Sequence, residues 1–357
     1  QELSNTAWAM ATLQLSDLQL ADAISKRSLE ILHQFQTQHL TNTAWAFARL
    51  LIQDAPLIGA ICSSAAARVD HMDVQGLSNL MWAQARLVLM DRSLLALTVG
   101  VSVRRMDEFT SQELSNTAWS LSKLVVLDVA LLESVARQAV SKIALFNSQE
   151  LSNIALAYAT LMMPNAELFD AVATESLAAI AKGVADNQAL SNTAWSFAKM
   201  EVFHEPLLSA IWTTSLQKIR SFVPQGLSNL VWAAARFVLK DVPLVAEIAD
   251  ESLRRLSALN AQDLSNSLWA FAKLEVADRR ILEGLAEESI RKMSTFNPQS
   301  IANTAWAFAA LEIAFRPLLD SIVPAALARV AEFNVQALSN LSWSFARMDY
   351  LSPTLMQ

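Results

Sequence analysis

Seven basic side chains, Arg49, Arg86, Lys123, Lys199, Arg236, Lys273 and Arg347, stand at steps of 37 residues or combinations of 37 and 39. Each lies seven places after an asparagine (Asn42, Asn79, Asn116, Asn192, Asn229, Asn266, Asn340). Each asparagine in turn lies four places after a glutamine (Gln38, Gln75, Gln112, Gln188, Gln225, Gln262, Gln336). Three more Gln/Asn pairs, Gln1/Asn5, Gln149/Asn153 and Gln299/Asn303, keep the spacing with Thr12, Thr160 and Ala310 in the basic position. With 27 Lys plus Arg in 357 residues, chance would place fewer than one basic residue in ten such positions. Evenly spaced cations suit the phosphates of a single strand of RNA or DNA, and Gln and Asn amides can pair with base edges. Three places after the asparagine stands an indole, as at Trp8, Trp45, Trp82, Trp119, Trp195, Trp232, Trp269, Trp306 and Trp343. An exposed indole offers bases a stacking surface.

What must position these columns is a repeat, because the whole pattern Gln-x-Leu-Ser-Asn-x-x-Trp-Ala recurs ten times. Its copies span 1–13, 38–50, 75–87, 112–124, 149–161, 188–200, 225–237, 262–274, 299–311 and 336–348. Each copy reads as a helix, here called B. Cap residues precede it at Asp73, Thr110, Asn147, Asp186, Asn260, Asn297 and Asn334. A second helix, A, starts at another cap column, Asp17, Asp54, Asp91, Asp128, Asn165, Asp241 and Asp278. Pro56, Pro206, Pro243 and Pro317 fall in its first turn, where proline is tolerated. One helix pair buries a single face, so neighbours must stack to complete a core. The fold expected is all-α: an α-solenoid of ten tandem helix pairs over 1–357, wound as a right-handed superhelix and cut from a longer array.

On a wheel of helix B, the Leu two before the asparagine (Leu77, Leu227) and the aromatic five after it (Phe47, Phe197, Phe271, Phe308) share the core side. The Gln, Asn and basic columns share the opposite side, predicted to line the open inner wall of the superhelix. Several of these columns have structural alternatives. The tryptophans could pack between adjacent repeats, the asparagines could bond a neighbour's backbone, and the glutamines could help cap their helices. A second basic column, Arg68, Arg105, Lys142, Lys218, Arg255, Lys292 and Arg329, lies near the end of helix A. It could complement the helix dipole or add to the cationic surface. A four-repeat rhythm is also visible: the basic position is empty in repeats one, five and nine, and Gly76 and Gly226 follow the glutamine in repeats three and seven.

Composition agrees with a helical array. Hydrophobic residues make up 53% and charged residues 17%, with only 6 Gly and 9 Pro. No apolar run reaches the roughly 20 residues of a membrane span. The net charge of −7 does not announce nucleic-acid binding, so the case rests on where the cations lie. With Cys62 alone, no internal disulfide can form. No Gly-rich phosphate loop and no Gly-x-Ser-x-Gly elbow occurs, and His33, His39, His71 and His204 make no metal-ligand spacing with Cys62. No catalytic residue, metal or cofactor is expected.

The run Gln-x-Leu-Ser-Asn-Thr-Ala-Trp-Ala-Phe-Ala-Lys/Arg, as at Gln38–Leu50 and Gln188–Met200, resembles the octotricopeptide repeat family. Val223-Pro224-Gln225 and Asn297-Pro298-Gln299 keep that family's proline. The resemblance implies sequence-selective binding of RNA in chloroplasts or mitochondria, serving stabilisation, processing or translation of a transcript. Phosphates would fall to the seven basic residues, and bases to Gln38, Asn42, Gln75, Asn79, Gln112, Asn116, Gln188, Asn192, Gln225, Asn229, Gln262, Asn266, Gln299 and Asn303. Repeat five departs from the pattern, with Leu156 in place of Trp. The partner expected is single-stranded RNA, with no small-molecule substrate. The competing expectation is a protein scaffold gripping an extended acidic partner.

Overall fold

The computed structural model describes residues 1–239 and 243–350, and among these it contains helices and no strand. The chain divides into two units. The first, Gln1–Ser176, runs through α1 (Glu2–Thr12), α2 (Leu18–Ile31), α3 (Thr37–Arg49), α4 (Ala55–Ala66), α5 (Val74–Leu87), α6 (Arg92–Arg104), α7 (Ser111–Leu124), α8 (Val129–Ser141) and α9 (Ser148–Thr160) into α10 (Ala166–Ala181). The second, Leu177–Gln357, holds α11 (Asn187–Lys199), α12 (Glu205–Gln217), α13 (Pro224–Arg236), α14 (Pro243–Arg254), α15 (Ala261–Lys273), α16 (Arg279–Lys292), α17 (Pro298–Ala310), α18 (Arg316–Leu327) and α19 (Val335–Arg347). Odd-numbered helices carry the motif and are the B helices; even-numbered ones are the A helices. A tenth A helix would fall on residues from 351 onward, outside the described residues.

Within each unit every B helix packs on the B helix of the next repeat, and A helices pack on A helices less closely. The chain is therefore an α-solenoid repeat protein. Residue size explains the difference in spacing. The motif serine and the Ala or Ser four after the asparagine are buried, as at Ser78, Ser115, Ala83 and Ala270, and so bring neighbouring B backbones together. Gly76 and Gly226 belong to the same contact. A Cβ on Gly76 would come within 3.2 Å of Thr41 Cγ2 in the preceding B helix, and one on Gly226 within 3.4 Å of Ser191 Oγ. At Gly76 the neighbouring helix leaves little room for a side chain, whereas 3.4 Å at Gly226 is ordinary van der Waals contact.

The expected caps form. Asp73, Thr110, Asn147, Asp186, Asn260, Asn297 and Asn334 each accept a hydrogen bond from the first turn of their B helix. Asp17, Asp54, Asp91, Asp128, Asn165 and Asp278 do the same for A helices; Asp241 lies outside the described residues. His204 caps α12 through Nδ1, a role for histidine that the cap pattern did not include. The core is also where the helical period puts it, with Leu77, Leu227, Phe197 and Phe271 fully buried.

One device recurs in all ten repeats and was not expected. Nine residues after each motif asparagine, a non-glycine residue turns left-handed, from Gln14 to Asp349, with φ between 48° and 60°. The next residue's N–H bonds back to the carbonyl five residues earlier, as in Val126 to Leu121 and Tyr350 to Phe345. This is the Schellman closure, with its apolar contact between the same two positions; Phe345 and Tyr350 make it with ring centroids 5.3 Å apart. Every B helix therefore ends at the same point, and its basic residue stands in the last turn before the closure.

Candidate nucleic-acid interface

Small residues set the repeat pitch, the caps set where each B helix begins, and the left-handed closure sets where it ends. Equivalent side chains from successive repeats consequently line up within each unit. The glutamines Gln38, Gln75, Gln112, Gln188, Gln225, Gln262 and Gln299 are all exposed. The asparagines Asn42, Asn79, Asn116, Asn229, Asn266 and Asn303 are half-buried, whereas Asn192 is buried. Arg49, Arg86, Lys123, Arg236, Lys273 and Arg347 are exposed and Lys199 is half-buried. Amides and cations thus share the face turned away from the core, as the wheel predicts.

Neither structural alternative for the amides forms. Among the described residues no motif asparagine bonds a neighbouring repeat's backbone through its side chain, and no motif glutamine caps its helix. Gln299 Nε2 donates to Asn303 Oδ1 at 2.8 Å, joining the two columns within one helix. The glutamine amides are exposed and can take an incoming hydrogen-bonding group, whereas most of the asparagines are half-buried and Asn192 is buried.

The tryptophans do pack between repeats. In unit 1 the rings of Trp45, Trp82 and Trp119 follow one another at 6.4 and 6.2 Å between centroids. In unit 2 Trp195, Trp232, Trp269 and Trp306 follow at 5.7, 6.1 and 6.3 Å. Planes tilted by 29° to 34° give a ladder in which each indole covers its neighbour. Within these two runs neighbouring indoles take up much of the stacking surface expected for bases, whereas Trp8 and Trp343 lie outside the runs and are 48% and 44% exposed. Cations lean on the ladder: Arg49 lies 5.5 Å from the Trp45 ring, and Lys123, Arg236 and Arg347 each lie 5.8 Å from the indole of their own helix. Lys273 reaches forward to Trp306, also at 5.8 Å. In repeat five Leu156 supplies no ring.

Two of the seven cations meet a carboxylate. Arg236 pairs with Glu201, and Arg347 Nη2 lies 2.5 Å from Glu312 Oε1. Both acidic residues stand at the left-handed closure of the preceding repeat. Arg49, Arg86, Lys123, Lys199 and Lys273 form no ion pair among the described residues. The empty positions are inert: Thr12 and Thr160 return their hydroxyls to the Trp8 and Leu156 carbonyls of their own helices.

The second basic column has a different job from either one considered in the sequence. Lys142 donates to the Phe109 carbonyl at 2.7 Å, Arg105 to that of Met72 at 2.6 Å, and Lys292 to that of Leu259 at 2.6 Å. Arg68, Lys218, Arg255 and Arg329 make the same bond to Phe35, Ala185, Phe222 and Phe296. Each carbonyl lies 33 residues earlier, just before the preceding B helix begins. These side chains latch repeat to repeat and are not part of the cationic face. No residue but the cation itself could have signalled this, because the partner is backbone.

Among the described residues no group of three or more His, Cys, Asp or Glu could hold a metal ion, and no helix is long and apolar enough to cross a membrane. A comparison with curated proteins finds no match. The sequence does match one protein family, over residues 1–242 and 243–357, which together make up the chain. That match supports the broader content of the octotricopeptide resemblance, a helical-repeat protein associated with RNA. The chain belongs to the RNA-editing substrate-binding complex 6 protein family.

Proposed function

We propose that this protein binds single-stranded RNA along the exposed face of its B helices, as part of a complex that holds the substrates of RNA editing. The observation that carries the reading is that, within each unit, exposed glutamines recur in every repeat on the same helix face as the cations, which seven of the ten repeats carry, and the indoles, which nine carry. Cations hold phosphates without regard to sequence, and the amides of Gln38, Asn42 and their equivalents read bases. Stacked indoles set a fixed pitch and, through their edges, an apolar floor. At about one nucleotide per repeat the footprint is ~10 nucleotides. The protein acts here by binding alone, with no catalytic step and no cofactor of its own. The finer parts of the proposal are membership of the octotricopeptide class, sequence selectivity, and work in a chloroplast or mitochondrion. They rest on the motif resemblance together with the family's name.

A second reading, a protein-protein scaffold, draws on a specific feature. Leu51, Val88 and Val125 are well exposed beside the cations of unit 1, and the matched family is named for a complex. Selection of bound RNAs from a random pool, followed by sequencing, separates the two. Enrichment of a shared motif of about ten nucleotides supports RNA reading. A pool that returns unenriched, alongside protein partners retained after ribonuclease treatment, makes the scaffold the correct account.

A further inference from the structure

Equivalent cations in the two units do not have equivalent neighbours. The contacts of Glu201 with Arg236 and of Glu312 with Arg347 each join the left-handed closure of one repeat to the cation of the next. In unit 2 the closure column reads Glu201, Val238, Glu275, Glu312 and Asp349. Two of its four carboxylates, Glu201 and Glu312, meet two of the unit's four cations, Arg236 and Arg347. In unit 1 the same column reads Gln14, Leu51, Val88, Val125 and Met162 and carries no charge. The one-repeat step that brings Glu201 to Arg236 puts Leu51 beside Arg86 and Val88 beside Lys123.

Backbone geometry does not explain the difference. All ten residues adopt the same left-handed turn, and neither glutamate nor valine is favoured there. Other carboxylates lie close by in unit 1, at Asp54, Asp91 and Asp128, but each accepts bonds from the first turn of an A helix, whose positive end offsets it. An exposed ion pair contributes little to stability. Its effect on an incoming polyanion is larger, because the cation is already neutralised and the displaced carboxylate stays to repel phosphate.

We infer that the two units are unequal anion sites: unit 1 is the half that grips the RNA backbone, and unit 2 is held back by its own closure carboxylates. This rests on the RNA-binding reading above, so the experiment must distinguish its failure from that of the reading. Affinity for a labelled mixed-sequence single-stranded RNA is measured with the full chain and three double variants, each checked for unchanged helicity. Arg86→Gln with Lys123→Gln weakens binding about tenfold or more, whereas Arg236→Gln with Arg347→Gln changes it by about twofold or less. Glu201→Gln with Glu312→Gln tightens it by about threefold, and glutamine is tolerated there because Gln14 already occupies the same turn. Equal losses from the two cation pairs, or no gain from removing the carboxylates, overturn the inequality and leave RNA binding standing. Affinity that responds to none of the three, or an absent interaction in the unaltered chain, removes the RNA reading and this inference with it.

Discussion

Lys142 Nζ donates a hydrogen bond to the carbonyl oxygen of Phe109, 33 residues earlier, at 2.7 Å. It also donates to that of Asp107 at 2.6 Å. The ammonium thus closes a strand of backbone that has left one helix and not yet entered the next. Lys142→Met keeps the stem and removes the donor, leaving the half-buried carbonyl unsatisfied. The expected loss is about 1 to 2 kcal/mol of stability, measured by urea unfolding, with RNA affinity unchanged. A fall in affinity without a fall in stability would place Lys142 in the binding surface instead.

Val125 adopts φ 54° while 81% exposed. A β-branched residue in the left-handed region is strained, by roughly 1 to 2 kcal/mol, and its exposure means no packing compensates within the chain. Val125→Gly relieves the strain at the cost of greater freedom when unfolded. A net gain of about 1 kcal/mol is expected, read as a rise in the unfolding midpoint. Unchanged or lower stability would mean that the valine side chain makes a stabilising contact.

The period, the helix pairs and most caps were legible because their signals are local. Asp73 and Asn260 stand immediately before the helices they cap, and Leu77 and Phe197 repeat with the helix itself. The closure was hidden because a left-handed turn is ordinarily marked by glycine, and Val88, Val125 and Glu201 give no such mark. At the candidate site the faces of Arg86, Gln75 and Asn79 followed from a wheel. A wheel gives direction only and says nothing of what the next repeat brings alongside. That is why the stacking of Trp82 on Trp119, and the pairing of Arg236 with Glu201, emerged only in three dimensions.

Cys62 is buried in α4, and burial, with Asp91 adding to it, pushes its thiol up to about 11. At pH 8 roughly one such thiol in a thousand is ionised. Modification by a disulfide reagent should therefore wait on opening of the chain and become rapid in urea. The folded form keeps its proton after the unfolded form, near 8.5, has lost it. The thiol's contribution to stability is thus intact below about pH 8.5 and declines as pH rises toward 11. Fast labelling of the native chain at pH 8 contradicts this placement.

Salt dependence counts the cations that meet phosphate. Each contact with a single strand adds about −0.7 to the slope of log affinity against log salt. All seven basic residues of the B column would give about −5, while the five without a carboxylate partner give about −3.5. Arg236 and Arg347 start out neutralised by Glu201 and Glu312 and have few counterions to release, so the shallower value is expected for the unaltered chain. Replacing both glutamates by glutamine frees those two cations, and the slope should steepen toward −5. A slope near zero in the unaltered chain means that phosphates do not contact this column. A slope of −5 that the substitutions leave unmoved means that Arg236 and Arg347 exchange their carboxylates for phosphate as readily as Arg86 exchanges a counterion.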